Sequence, residues 1–128
     1  MFLPEPKVRI WLYSQPTDMR KSFDGLCGLI RSRLEEEPTS GQLFVFINRR
    51  KTHLKILYFD GAGFCIWFKR LEQGQFNVHS GDGDKQLYSW VQLKLLLNTS
   101  VIPTRPDTGA GKIQHHDFTE RGYHFCHT

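Results

Sequence analysis

Cysteine is scarce in this 128-residue chain: Cys27, Cys65 and Cys126 are the only three. An odd, widely spaced set excludes a disulfide scaffold as the organising principle, and no CxxC pair offers a zinc site. Cys27 and Cys65 sit inside apolar segments, so the expectation is reduced core thiols in a cytoplasmic protein. Long apolar runs are missing as well. Nothing approaches the roughly 20 residues of a membrane-spanning helix, and no basic stretch followed by an apolar one opens the chain, so a non-secreted protein with no membrane partner is expected. The GxxxxGK loop that cradles phosphates and the GxSxG nucleophile elbow are both absent, and nothing calls for a cofactor. Acidic residues are outnumbered, 13 Asp and Glu against 17 Lys and Arg, giving a net charge of +4 and a pI near 9.1. That balance permits a nucleic-acid partner without requiring one.

Hydrophobic residues make up 39% of the chain and aromatics 13%, which argues for a packed core and, at this length, one domain. The organising stretch runs over residues 43–72. Three apolar runs, 43–47, 54–59 and 64–68, are rich in Val, Ile, Phe, Tyr and Trp and read as strands. The break between the first two, Asn48-Arg49-Arg50-Lys51-Thr52-His53, suits a hairpin loop. The next, Asp60-Gly61-Ala62-Gly63, supplies glycine where a tight turn needs positive φ. Short connections favour a three-stranded antiparallel meander. Its charge is lopsided: between residues 49 and 70 lie Arg49, Arg50, Lys51, Lys55, Lys69 and Arg70 against Asp60 alone. The meander topology places the first hairpin loop and Lys69-Arg70 at the same end of the strands, so a basic pole is expected there.

Around this centre, residues 8–13 (VRIWLY) form a candidate strand with Val8, Ile10 and Leu12 on one face and Arg9, Trp11 and Tyr13 on the other. Pro16 breaks it. Thr17 or Asp18 can cap a following helix, whose apolar stripe is Phe23, Leu26, Cys27, Ile30 and Leu34. Gly25 and Gly28 are poor helix formers, which points to close packing or a late helix start. A short strand is expected at residues 76–79, and Leu87, Trp90, Val91 and Leu95 define a second amphipathic helix over roughly residues 85–97. Residues 103–128 lack apolar periodicity and balance their charges; they read as a disordered or loosely packed tail after a single domain spanning residues 1–102. The resulting fold class is α+β: an antiparallel sheet of four to five strands built on the meander, with two amphipathic helices packed on it. Apolar residues on both strand faces mean that helices cover both, or that one face binds a protein.

For chemistry, the hairpin loop through Lys55 is the best phosphate-contacting element, since arginine and lysine neutralise phosphates and a hairpin tip reaches a groove. Arg20 and Lys21, near a helix N-terminus, can extend such a site, although ordinary surface charge explains them from local sequence alone. A metal-dependent nuclease would need two or more of Asp18, Asp24, Asp60, Asp82 and Asp84 to converge on divalent ions. Asp60-Gly61 and Asp82-Gly83 are also ordinary turn dipeptides, so no catalytic or metal site is assigned and a non-enzyme is expected. His115-His116 and His124-Phe125-Cys126-His127 do not have zinc-finger spacing.

Seven blocks in order, Trp11-Leu12-Tyr13, residues 15–26 (QPTDMRKSFDGL), 40–46 (SGQLFVF), Asn48-Arg49-Arg50, 54–58 (LKILY), 60–64 (DGAGF) and 67–72 (WFKRLE), together resemble the accessory proteins, often called TnpB, encoded by the second open reading frame of IS66-type insertion sequences. The resemblance covers about residues 8–97 and leaves residues 103–128 outside it. It implies a bacterial mobile-element protein acting beside a separate transposase, and it carries over no catalytic residue. Joined to the basic pole, it implies an accessory factor for transposition that binds DNA, the transposase or both. The DNA-binding set is Arg49, Arg50, Lys51, Lys55, Lys69 and Arg70, with Arg20 and Lys21. The alternatives are a purely protein–protein module and the nuclease.

Overall fold

The computed structural model describes residues 8–78, 83–102, 112–115 and 123–126, with side chains through residue 101. The strands are β1 (Ile10–Tyr13), β2 (Leu43–Ile47), β3 (His53–Phe59), β4 (Phe64–Arg70), β5 (Gln75–Phe76), β6 (Lys85–Tyr88), β7 (Thr99–Ile102), β8 (Lys112–His115) and β9 (Tyr123–Cys126). Helix α1 covers Phe23–Leu29 and α2 covers Trp90–Asn98. The main sheet runs β6-β1-β2-β3-β4, with the main chain of β9 beyond β4, and a small second sheet runs β5-β7-β8. This is the expected α+β class. The expectation of a tail over residues 103–128 lies mostly outside the described residues.

The meander forms as its turns dictate. In the second turn the Asp60 carboxylate accepts the N–H groups of Ala62 and Gly63, both at 2.9 Å, and Gly61 takes φ +101. In the first, Asn48 Oδ1 accepts Thr52 N at 2.9 Å and His53 N at 3.0 Å. Registers Ile47↔Leu54 and His53↔Arg70 put the 48–52 loop and the end of β4 at one pole. Two pairings fall outside the meander pattern. β1 pairs with β2 in parallel, Ile10 opposite Leu43, so the chain between them must cross over, and α1 lies in that crossover. On its other side β1 pairs antiparallel with β6.

Both faces of the sheet are covered by helix, as the two-faced apolar pattern allowed. Leu26, Cys27, Ile30 and Leu34 pack with Tyr13, Phe44, Phe46, Leu57 and Ile66 on one face. Leu93, Leu96 and Leu97 pack with Ile10, Leu12, Val45, Ile47, Leu54 and Ile56 on the other. Each such side chain, fully buried, contributes about 1.5–3 kcal/mol.

Both helices start later than the sequence reading placed them. Thr17 and Asp18 do not cap α1; Ser22 is its N-cap residue and makes no side-chain cap bond. Asp18 instead turns its carboxylate onto Arg20, accepting Arg20 N at 2.9 Å. Beyond Leu29 the helix widens into a π turn, Ile30–Leu34, and stops at Glu35 with φ 54. Residues 85–88 are strand, not helix. Helix α2 begins at a capping box in which Ser89 Oγ accepts Gln92 N at 3.1 Å and Gln92 Oε1 accepts Ser89 N at 2.8 Å. The assumed stripe is reversed: among the described residues Leu87, Trp90, Val91 and Leu95 are the exposed large hydrophobics, and Leu93, Leu96 and Leu97 are buried. Of the short strand expected at residues 76–79 only Phe76 is strand, in β5; residues 77–78 are not strand, and residues 79–82 lie outside the described set. Cys27 is a free, buried thiol whose pKa burial pushes up. Cys65 is disulfide-bonded, correcting the expectation of a reduced thiol there, and its main chain faces Cys126 across β4 and β9. Linear spacing could not show that opposition, because β9 joins the sheet from far along the chain.

Candidate nucleic-acid interface

The pole is assembled from three stretches of chain. The 48–52 hairpin is its centre. On one side the segment after β1 runs alongside, Thr17 N donating to Ile47 O at 2.9 Å. On the other lies the chain after β4, where Leu71 N donates to Thr52 O at 2.8 Å, Phe76 N to Lys51 O at 2.7 Å and Gln75 Nε2 to Arg50 O at 2.8 Å. The turn is therefore fixed on both flanks, and side chains projecting from it are presented by a rigid base.

The eight cations named from the sequence divide by environment. Arg49 and Arg50 are exposed and make no side-chain hydrogen bond or ion pair among the described residues. Arg70 is exposed and pairs with Glu72 at 3.2 Å, an exposed contact worth little. Arg20 is almost wholly exposed and clasps Asp18, Nη2 to Oδ2 at 2.7 Å; those hydrogen bonds hold the Asp18 carboxyl down at about 2. Lys21 is exposed nearby. Lys51 is half-buried, at φ +60, and its Nζ donates to Val78 O at 3.1 Å.

Lys69 is a correction, and Lys55 is already engaged by main-chain carbonyls. Lys55 Nζ donates to Met19 O and Lys21 O, both at 2.8 Å, over the Phe68 ring. Burial lowers its pKa. Half-buried, it ties the segment before α1 to β3. Lys69 is 1% exposed, and its Nζ donates to Leu97 O at 2.7 Å. It satisfies a carbonyl in the last turn of α2, where no further helical N–H is available. Alternation along β4 explains the difference: Lys69 faces the α2 core while Arg70, at the strand end, faces out. The surface set is thus Arg20, Lys21, Arg49, Arg50, Lys51 and Arg70.

Sequence reading missed two contributors. Asn48 positions the whole tip: beyond the two N–H groups it accepts, its Nδ2 donates to Thr52 Oγ1 at 3.1 Å and lies 3.2 Å from His53 Nδ1. An asparagine opening a polar break is the signal for such a turn. The second is a small cleft of about 70 Å³ where the hairpin meets the segment after β1, lined by Tyr13, Ser14, Gln15, Pro16, Ile47, Asn48, Arg49, Lys51 and Val78. Only the parallel β1–β2 pairing brings those two stretches together. Burial, and next the Arg70 charge, lower the pKa of His53 beside the tip.

The described carboxylates lie on separate segments of the chain. Asp18 is engaged by Arg20, Asp24 lies in the first turn of α1, Asp60 sits in the turn at the opposite end of the sheet, and Asp84 precedes β6. Asp82 lies outside the described residues, as do the side chains of His115, His116, His124 and His127. Among the described residues no three His, Cys, Asp or Glu side chains group as a metal would need, and no helix is long and apolar enough to cross a membrane.

Away from the pole, Leu87, Trp90, Val91 and Leu95 form an exposed apolar ridge on β6 and α2. Register Tyr88↔Ile10 puts the start of α2 at the end of β1 remote from the pole.

Comparison with known proteins gives three findings. A family profile described as IS66 Orf2-like protein matches residues 8–105. Two proteins of Sinorhizobium fredii (strain NBRC 101917 / NGR234), titled uncharacterized protein y4hO and uncharacterized protein y4jC, are each 38% identical to this chain. The first alignment spans 91 residues, 71% of this chain and 79% of the relative; the second spans 76 residues, 59% and 65%. No solved structure matches.

Proposed function

The chain belongs to the IS66 Orf2-like family of accessory proteins associated with insertion-sequence transposition, and from that premise we propose that it acts without a catalytic step, as a factor that holds DNA through its basic pole. The observation that carries this reading is the pair Arg49 and Arg50, exposed and without side-chain partners among the described residues, at the tip of a hairpin braced on both flanks. Unpaired guanidiniums on a fixed base lose little freedom when they meet phosphate, and their fork geometry matches phosphate oxygens. Lys51, Arg70, Arg20 and Lys21 widen the footprint. Phosphate contact of this kind reads no sequence by itself, so site choice falls to another component of the transposition machinery.

Six phosphate contacts give a slope of log affinity against log salt near −5, at about −0.9 per contact. The test is fluorescence anisotropy with the terminal repeat of a cognate element and a scrambled duplex across a salt series. Replacing Arg49, Arg50 and Lys51 by alanine is expected to flatten the slope by two to three units. An unchanged slope would remove the pole from the function.

A second reading, a module that recruits or steadies the transposase, draws on the exposed ridge of Leu87, Trp90, Val91 and Leu95. Exposed apolar side chains clustered on one helix and the adjoining strand are a protein-contact signature. It predicts a complex with the transposase that survives high salt and weakens when Val91 and Leu95 become serine.

A further inference from the structure

We infer that the cleft between the 48–52 hairpin and the segment after β1 is a seat for one phosphate group, held by Lys51 and Arg49; this deepens the phosphate-contact reading above and rests on it. The lining has the composition such a seat needs. Arg49 and Lys51 supply positive charge, Ser14, Gln15 and Asn48 supply neutral polar groups, and Tyr13, Pro16, Ile47 and Val78 add to the walls, with no acidic side chain in the lining among the described residues. The carboxylate that acts on the Tyr13 hydroxyl, Asp84, lies outside the lining. At about 70 Å³ the cleft is far below the roughly 300–1,000 Å³ of small-molecule pockets, so its scale is that of an oxyanion and not of a base and sugar.

The second observation is the backbone of Lys51. Its φ of +60 is a left-handed conformation, which the chain gives to glycine at residues 41, 61, 74 and 83 and otherwise only to Glu35 among the described residues. Glycine would sit at position 51 without steric cost; lysine does not. What lysine adds is an ammonium whose Nζ is tethered to Val78 O at 3.1 Å, across the cleft wall. The tether uses one N–H and leaves two donors. A strained residue that places a preorganised charge is the pattern of a binding site. The same chemistry suits a phosphodiester of nucleic acid or free inorganic phosphate, and the two sources separate experimentally.

The experiment titrates inorganic phosphate, at constant ionic strength, into the 15N-labelled full chain and its Lys51→Gly variant, and measures the salt slope of both on duplex DNA. Glycine suits the turn, so the variant should fold with an unchanged or raised Tm. The expected result is a saturable shift of the Ser14, Gln15, Asn48, Arg49 and Lys51 amide signals, about tenfold weaker in the variant, and a duplex salt slope flatter by about one. Saturable phosphate binding with an unaltered duplex slope would support the seat and assign it to free phosphate. Phosphate binding without any duplex binding would also support the seat and overturn the DNA reading instead. No saturable shift at those amides, or equal phosphate affinity in the variant, would overturn the seat, and the DNA reading would still stand if Arg49→Ala and Arg50→Ala flatten the duplex slope.

Discussion

Lysine appears at the pole in three conditions that the sequence alone does not separate. Lys51 stands at the tip, Lys55 reaches sideways to two carbonyls of the 19–21 segment, and Lys69 is enclosed against α2. Alternation in a strand tells which residues share a face, but both faces here are covered, so a charged residue next to a strand end is not thereby a surface residue. The arginines were readable because they cluster in a break between apolar runs. Lys69→Ala separates structural from functional charge. The variant loses a charge-assisted hydrogen bond, strands the Leu97 carbonyl and leaves space in the core, so a loss of about 2–3 kcal/mol in urea unfolding is expected. Its DNA salt slope should match the native one, because no phosphate contact has been removed.

At the scale of elements, the meander was legible to within a residue or two because turn chemistry and apolar runs agree on its limits. Helix α2 was not. Trp90, Val91, Leu93, Leu95, Leu96 and Leu97 surround most of its circumference, so periodicity fits more than one buried face and the wrong stripe was as good a match as the right one. The Ser89…Gln92 capping box was in plain sight and fixes the start better than the stripe does. Leu93→Ala against Leu95→Ala measures the true face: a loss of about 2–5 kcal/mol for the first, and a change within about 0.5 kcal/mol for the second. Equal losses would mean that the exposed ridge is packed in solution. In α1, Asp18 looked like a cap because aspartate caps helices; the nearby Arg20 guanidinium and a local turn took its carboxylate first.

Across the whole molecule, four segments meet in one polar network. Trp11 Nε1 donates to Gln42 Oε1 at 2.6 Å, Gln42 Nε2 to Glu36 Oε1 at 3.2 Å, and Lys85 Nζ to Glu36 Oε2 at 2.6 Å and Leu34 O at 2.9 Å, above the Trp11 ring. It joins β1, the end of the π turn, the entry to β2 and the edge strand β6. No sequence rule exposes it, because its members lie far apart and none alone signals the others. The Lys85 hydrogen bond lowers the Glu36 pKa most, against the opposing effect of burial, with Gln42 adding to the lowering. A carboxyl lowered by folding stabilises fully above its ordinary value of 4.5 and loses that contribution as pH falls below it. Urea unfolding of the native chain and Glu36→Gln should therefore diverge near neutral pH and converge in acid. A gap between the two that does not change with pH would remove Glu36 from the linkage.

The parallel pairing of β1 with β2 also sets an order of events in time. β1 is made first, yet one neighbour, β2, follows a full crossover later and the other, β6, later still. The 43–70 meander can close from local contacts, whereas β1 must wait for a distant partner, and long-range closure is slow. On a ribosome, Ile10, Trp11, Leu12 and Tyr13 emerge as an apolar strand with nothing to join. Folding is thus expected to run from the middle of the chain outward, with the first-made strand inserted after the meander and the edge strand β6 able to dock only once it is there.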